Sequence, residues 1–160
     1  MGRSIVRATG EDAAEILALY RGNLYGAADW SEDYPNEETI EYDLSREALF
    51  VMKEDGEIIA TISIDEDEEV KKLPCWSPAL QPSGELSRLC VKDGYRNQGI
   101  ARQMMEHTFE ELRKQGCKSV HILVKTGHKV ALQSYSHLNY RQVGRCQLFE
   151  KEFLCFEKEL

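Results

Sequence analysis

The chain has 160 residues, 42% of them hydrophobic and 30% charged, with a net charge of −8. That length supports one buried core without disulfides or metals, and no apolar run approaches the roughly 18 residues a membrane-spanning helix needs. From Asp29 to Glu69 there are 16 acidic residues against two basic ones, so this stretch carries −14 and the remainder +6. Phosphates are repelled by such a surface, which argues against nucleic acid and anionic membranes as partners and for a cationic acceptor such as an amine.

The N-terminus, Met1 to Val6, runs straight into a strand-like stretch without the apolar core of a signal peptide. Val6 stands where a myristoylation signal would want Ser or Thr, and the expected location is cytoplasmic. Five cysteines, at positions 75, 90, 117, 146 and 155, form no CxxC pair. The short paired spacings of a structural zinc site are absent, so reduced, partly buried thiols and no metal are expected.

In chain order, Ser4–Ala8 reads as a strand, and Thr9 or Gly10 can cap the helix that follows, with Glu11 and Asp12 in its first turn. Ala13, Ile16, Leu17, Tyr20 and Leu24 recur at helical spacing. Residues 25–35 read as a loop, and Asn36 can cap a short helix over Glu37–Leu44. Ala48–Lys53 and Glu57–Ile64 flank the turn Glu54-Asp55-Gly56, a hairpin signal. Residues 65–83, acidic and holding three prolines, read as a loop. Then come a strand over Glu85–Lys92, a helix over Gly99–Gln115 ended by Gly116, and a strand over Ser119–Lys125. A helix over His128–Leu138 and two strands, Tyr140–Phe149 and Glu152–Lys158, complete the chain. Hairpins at both ends with βαβ units between them predict a single α/β domain over residues 1–160. Its sheet is mixed, mostly antiparallel and of about seven strands, with helices on both faces.

The most informative segment is the one from Leu89 to Ala101. A strand ends, a polar turn follows, and a long amphipathic helix opens at Gly99. The first N–H groups of a helix have no internal partner, and the helix dipole makes the spot they face positive. Gly99 and Ala101 let an anion approach the backbone, and Arg96 adds charge at the rim. The pattern is neither a Walker loop nor a dinucleotide fingerprint.

Arg96-x-x-Gly99-x-Ala101 after a strand resembles the acyl-CoA signature of the GNAT superfamily of N-acetyltransferases. Where the family's second signature runs Asn-x-x-Ala-x-x-Leu-Tyr-x-x-x-Gly-Phe, this chain reads His128-x-x-Ala131-x-x-Ser134-Tyr135-x-x-x-Asn139-Tyr140. Ala131 and Tyr135 match, Asn139 can take the left-handed backbone that Gly would, and His128 and Ser134 depart. The order of elements agrees from end to end.

The resemblance implies that the fourth and fifth strands splay apart after a shared start, with acetyl-CoA in the wedge. Its pantetheine arm would meet backbone near Leu89, Cys90 and Val91, and its pyrophosphate would sit on Arg96, Asn97, Gln98, Gly99, Ile100 and Ala101, with His128 and Ala131 also against the cofactor. Val91 would supply the oxyanion N–H, Tyr135 would protonate the leaving thiolate, and Glu85, 14 positions before Gly99, would be the general base. Such a base is needed because a lysine-like amine is only about 0.04% neutral at pH 7, a penalty of about 4.6 kcal/mol. His121 is a second candidate, since strand alternation puts it on one face with Leu123. The acceptor pocket the resemblance implies, built by the first two helices and their loop, would include Tyr25, Trp30 and Tyr34, aromatic residues amid carboxylates that suit a cationic amine. The expected partner is a small-molecule or peptide amine, and the paired C-terminal strands offer a surface for a homodimer. A non-catalytic acyl-CoA sensor or partner module is the alternative reading.

Overall fold

The computed structural model describes residues 2–23 and 30–160. Its seven strands are β1 (Arg3–Arg7), β2 (Leu49–Glu54), β3 (Glu57–Asp65), β4 (Ser83–Val91), β5 (Ser119–Lys125), β6 (Arg141–Leu148) and β7 (Lys151–Glu159). Five helices, α1 (Ala13–Arg21), α2 (Glu37–Ser45), α3 (Glu68–Lys71), α4 (Ile100–Lys114) and α5 (Lys129–Ser136), are interleaved with them. The sheet order is β1-β2-β3-β4-β5-β7-β6. It is mixed: β4 and β5 run parallel, while the β1/β2, β2/β3, β5/β7 and β6/β7 pairs are antiparallel. The parallel register covers three pairs, from Ser83–Ser119 to Glu85–His121, although β4 continues to Val91 and β5 to Lys125.

The local signals that set these elements are in place. Asn36 caps α2, its Oδ1 accepting from Thr39 N–H at 3.0 Å. Asp55 and Gly56 turn the β2–β3 hairpin with φ of 51° and 85°, the left-handed pair that a tight two-residue turn requires. Past α4, Gly116 takes φ 86° and Cys117 N–H returns to the Leu112 carbonyl at 3.0 Å.

Contacts divide the chain into two compact units, Met1–Ile64 with Ser87–Thr108 and Asp65–Leu86 with Phe109–Leu160. The first closes on Ile16, Leu19, Tyr20, Trp30, Ile40, Leu49, Val51, Ile58 and Cys90. Full burial of each large aliphatic side chain among them is worth about 1.5–3 kcal/mol. The second closes on Val70, Trp76 and Cys155, with Leu73, Cys75, Leu123, Val143, Cys146 and Leu148 packed around them.

The stretch 65–83 is not the plain loop its composition suggests. Asp67 Oδ1 accepts from Glu69 and Val70 N–H at 2.9 and 3.2 Å and starts α3. Val70 is buried, and its carbonyl accepts from Trp76 Nε1 at 2.8 Å, closing a strap from Val70 to Ser77. Pro78–Leu80 adds a 3-10 turn. β4 also begins earlier than its apolar pattern implies, because Ser83 and Gly84 pair with Ser119 and Val120. Gly84 serves there by its size: a Cβ would stand 2.4 Å from Leu112 Cδ2.

Candidate active site

In the first unit, the turn between β4 and α4 is shaped by three left-handed residues, Gly94 (φ 90°), Asn97 (φ 61°) and Gly99 (φ 77°). The first helical bond of α4 runs from Gln103 N–H to the Gly99 carbonyl at 3.1 Å. The N–H groups of Ile100, Ala101 and Arg102 therefore precede any intrahelical acceptor. Nothing lies within 4 Å of where a Gly99 Cβ would be, so the backbone is open to an approaching group. Arg96, Asn97, Gln98 and Gly99 are exposed. Arg96 Nη2 donates to Asn23 Oδ1 at 2.5 Å, and Gln98 Oε1 accepts from Arg3 Nη2 at 2.7 Å, which ties the turn's long side chains to the adjoining α1 end and β1. Ile100 points the other way and is 2% exposed. An open, cationic, N–H-rich turn of this kind fits a pyrophosphate.

The strand before the turn alternates, with Leu89 and Val91 half-buried and Cys90 buried in the core. The Cys90 thiol accepts from Asn23 Nδ2 at 3.1 Å, and burial pushes it up to about 12, so only the backbone of this residue faces other duties. Upstream, Arg88 sits in β4 with φ 52° and reaches Asp43. Asp43 is fully buried and accepts from Arg88 Nη2 at 2.8 and 2.9 Å, Arg46 Nη2 at 2.7 Å and Ser63 Oγ at 2.8 Å. Arg88 Nη1 donates to the Tyr34 hydroxyl at 2.9 Å. Of the aromatic residues expected near an acceptor, Tyr34 is exposed and held in this way, while Trp30 packs edge-on against Tyr20, centroids 5.4 Å apart, inside the core. Tyr25 lies outside the described residues.

In the second unit, strand register assembles a polar row. Glu85 on β4 pairs with His121 on β5, His121 with Glu157 on β7, and Glu157 with Arg141 on β6. Paired residues share a face, so four side chains run in line across the sheet. The strap covers this face. The Trp76 ring lies 4.7 Å from the imidazole of His121, and Ser77 N–H donates to Glu157 Oε2 at 3.1 Å. The Ser77 hydroxyl also bonds Glu157, and Arg141 Nη2 donates to Glu157 Oε1 at 3.1 Å. Burial would raise the Glu157 carboxyl, but the donations from Ser77 and the Arg141 guanidinium outweigh it and hold the group below its usual range.

His121 is 3% exposed; its Nδ1 is 2.7 Å from Ser83 Oγ and its Nε2 is buried without a hydrogen-bond partner. Burial pushes its pKa down to about 4; nearby Lys71 acts in the same direction, and Glu157 opposes. Glu85 is 7% exposed.

His128 stands just outside α5 as its cap, Nδ1 accepting from Ala131 N–H at 3.4 Å, the task an asparagine would perform. Tyr135 is 5% exposed, packed on Tyr140 (5.4 Å) and Phe156 (6.3 Å), and burial raises its hydroxyl well above the usual tyrosine value. Asn139 takes φ 64°, the conformation its place in the pattern calls for.

The two units thus divide the expected site residues. Leu89 to Ala101 lie in the first with Trp30 and Tyr34, and Glu85, His128, Ala131 and Tyr135 lie in the second. Sequence reasoning missed Arg88, Asp43, Ser77, Arg141 and Glu157, whose partners stand 16 to 80 residues away. Among the described residues, no group of three or more His, Cys, Asp or Glu side chains is arranged to hold a metal ion. No described helix is long and apolar enough to cross a membrane.

Residues 13–140 match the model of the Acetyltransferase (GNAT) family. No curated protein matches the sequence. Among solved structures, the chain resembles a ribosomal-protein-alanine N-acetyltransferase from Brucella melitensis, with TM-score 0.78 and 21% identity over 98% of this chain and 99% of that one. It resembles an N-acetyltransferase from Staphylococcus aureus Mu50, with TM-score 0.77 and 19% identity over 99% of each chain. It is also similar to the PaiA N-acetyltransferase from Thermoplasma acidophilum in complex with coenzyme A, with TM-score 0.76 and 16% identity over the whole of both chains. At these identities the likeness is one of fold.

Proposed function

The chain belongs to the GNAT acetyltransferase family, and we propose that it moves an acetyl group from acetyl-CoA to a primary amine by direct attack. The observation that carries this reading is the open turn from Arg96 to Ala101, with its left-handed Asn97 and Gly99 ahead of α4. Acetyl-CoA supplies the thioester. The chain's N–H groups at Gln98 to Ala101 hold its pyrophosphate, and the backbone at Leu89, Cys90 and Val91 pairs with the pantetheine arm. Val91 N–H stabilises the developing oxyanion.

Glu85 takes the proton of the attacking amine, directly or through water. Tyr135 returns a proton to the departing thiolate, and burial supports that role by keeping its hydroxyl protonated through the neutral range. Tyr34, exposed and fixed by Arg88, contributes to the acceptor side, where the acidic stretch favours a cationic small molecule or a peptide amine. A structural relative whose substrate is a ribosomal-protein alanine supports the peptide option. We take residues 1–160 as one catalytic domain acting in the cytoplasm.

The test is an amine panel with acetyl-CoA, followed by thiol release and by mass spectrometry of the products. Glu85→Gln should lower turnover by about 10²–10⁴-fold and Tyr135→Phe in the same sense, each with acetyl-CoA affinity nearly unchanged. Full turnover in both variants would refute these assignments. Tight CoA binding without turnover on any amine would instead identify a non-catalytic module.

A further inference from the structure

Three of the five cysteines come from distant parts of the sequence to one place. Cys155 on β7 is fully buried and is the register partner of Gly144 on β6. Cys146 lies two residues beyond Gly144 on the same face of β6. Cys75, on the strap, sits over that pair: a Cβ on Gly144 would be 2.9 Å from Cys75 Cβ and 3.6 Å from its Sγ. Glycine at 144 is what admits the third sulfur. Cys75 and Cys146 both pack against the buried cluster that Cys155 forms with Val70 and Trp76. Cys75 and Cys146 are half-buried and so reachable from solvent, whereas Cys90 and Cys117 lie elsewhere in the fold.

We propose that Cys75, Cys146 and Cys155 form an oxidative modification site, at which a peroxide closes an intramolecular disulfide between Cys155 and one of its two half-buried neighbours. In the first step the sulfur of Cys75 or Cys146 takes an oxygen from the peroxide, giving a sulfenic acid and releasing one water (or alcohol). In the second, Cys155 sulfur attacks that sulfenic sulfur, the S–S bond forms, and hydroxide leaves with the Cys155 proton as a second water. Two thiols lose two electrons in all, and the peroxide gains them.

The site stands apart from the acyl-transfer reading and depends on none of its residues. It does bear on the strap: Trp76 and Ser77 follow Cys75 directly and pack on His121 and Glu157, so a bond from Cys75 to Cys155 would fix the cover of the polar row. Burial raises all three thiols. Because the thiolate is the reactive form, oxidation proceeds slowly at neutral pH and faster as pH rises.

Trypsin separates all five cysteines, in peptides 73–88, 89–92, 115–118, 146–151 and 152–158. The folded full chain is treated with hydrogen peroxide at pH 8, alkylated, and digested without reductant. The expected result is peptide 152–158 joined to 73–88 or 146–151 within the monomer fraction, while 89–92 and 115–118 are recovered alkylated. Cys155→Ser should abolish both links, and Cys117→Ser should leave their yield unchanged. Recovery of 152–158 fully alkylated while half-buried Cys117 is oxidised would overturn the proposal, as would links found only between molecules. A 73–88 to 146–151 link of undiminished yield in Cys155→Ser would overturn the role of Cys155.

Discussion

Replacing Asp43 by Ala removes a buried carboxylate that two guanidinium groups share. Arg46 keeps 19% of its side chain exposed and can turn to water, whereas the Arg88 side chain is 4% exposed. Arg88 would lose three hydrogen bonds to this carboxylate, those of Nε at 3.1 Å and Nη2 at 2.8 and 2.9 Å, at a buried position. Breaking a buried pair in this way costs about 3–5 kcal/mol. At about 2–4 °C per kcal/mol for a domain of this size, the unfolding midpoint should fall by about 6–20 °C. Thermal unfolding followed by circular dichroism at pH 7 reads the shift. A double-mutant cycle with Arg88→Met then separates the charge from the packing, because Met keeps much of the volume and needs no partner. The double variant should recover at least half of the loss. A fall below about 3 °C in the single variant, or a double variant no better than the single, would mean that Arg88 is solvated in the folded chain and that the burial argument is wrong.

His121 gives a pH dependence of known sign. Its folded pKa, about 4, is below the unfolded value near 6.5, so its contribution is complete above pH 6.5 and is lost as pH falls from there towards 4. The difference between these two values corresponds to about 3 kcal/mol. Urea unfolding at pH 7.0 and 4.5 should show this loss in the parent and much less of it in His121→Gln; parallel pH profiles would rule the idea out. Gly84→Ala places a methyl group 2.4 Å from Leu112 Cδ2, in a strand paired on both of its flanks. The overpacking should destabilise the chain by about 1–3 kcal/mol, and an unchanged denaturation midpoint would show that Leu112 moves aside freely.

The parts of this molecule that were legible in its sequence are those fixed by neighbours in the chain. Asn36 caps three residues ahead, Asp55-Gly56 closes a two-residue turn, and Asn97 and Gly99 shape one loop, so each carries its own signal within a few positions. Asn139 could be assigned a left-handed backbone because Asn tolerates it better than other side chains. What depended on register was not legible. Glu157 lies 36 positions after His121 and becomes its neighbour only when β7 inserts between β5 and β6. Arg88 looked like one more strand residue, and nothing beside it announces Asp43. Trp30 shows the converse difficulty. An aromatic residue in a polar loop looks like a ligand contact, but its partner Tyr20 is on α1, and the pair closes a core. The prolines of 65–83 suggested a loop, yet Asp67 and Trp76 supply a cap and an indole donor that turn part of it into a packed strap.

The protonation states of the buried groups bear on how the proposed reaction should respond to pH. Burial holds His121 neutral and Tyr135 protonated, while Ser77 and Arg141 outweigh burial to hold Glu157 ionised. Between pH 6 and 9 none of these three groups changes charge. Besides the proposed base Glu85, the group whose titration governs kcat/KM is the acceptor amine, near 10.4 for a lysine-like group and near 8 for an α-amine. Log kcat/KM should therefore rise with slope one up to the amine's own pKa and should move with the amine when the acceptor is changed. Measuring the profile with two acceptors of different pKa separates the amine's titration, which moves with the acceptor, from that of the proposed base Glu85, which stays fixed. An inflection near pH 6.5 that is the same for both acceptors and disappears in His121→Gln would place the imidazole in water. That would contradict its packing against Trp76 and Ser83, from which its neutral state follows.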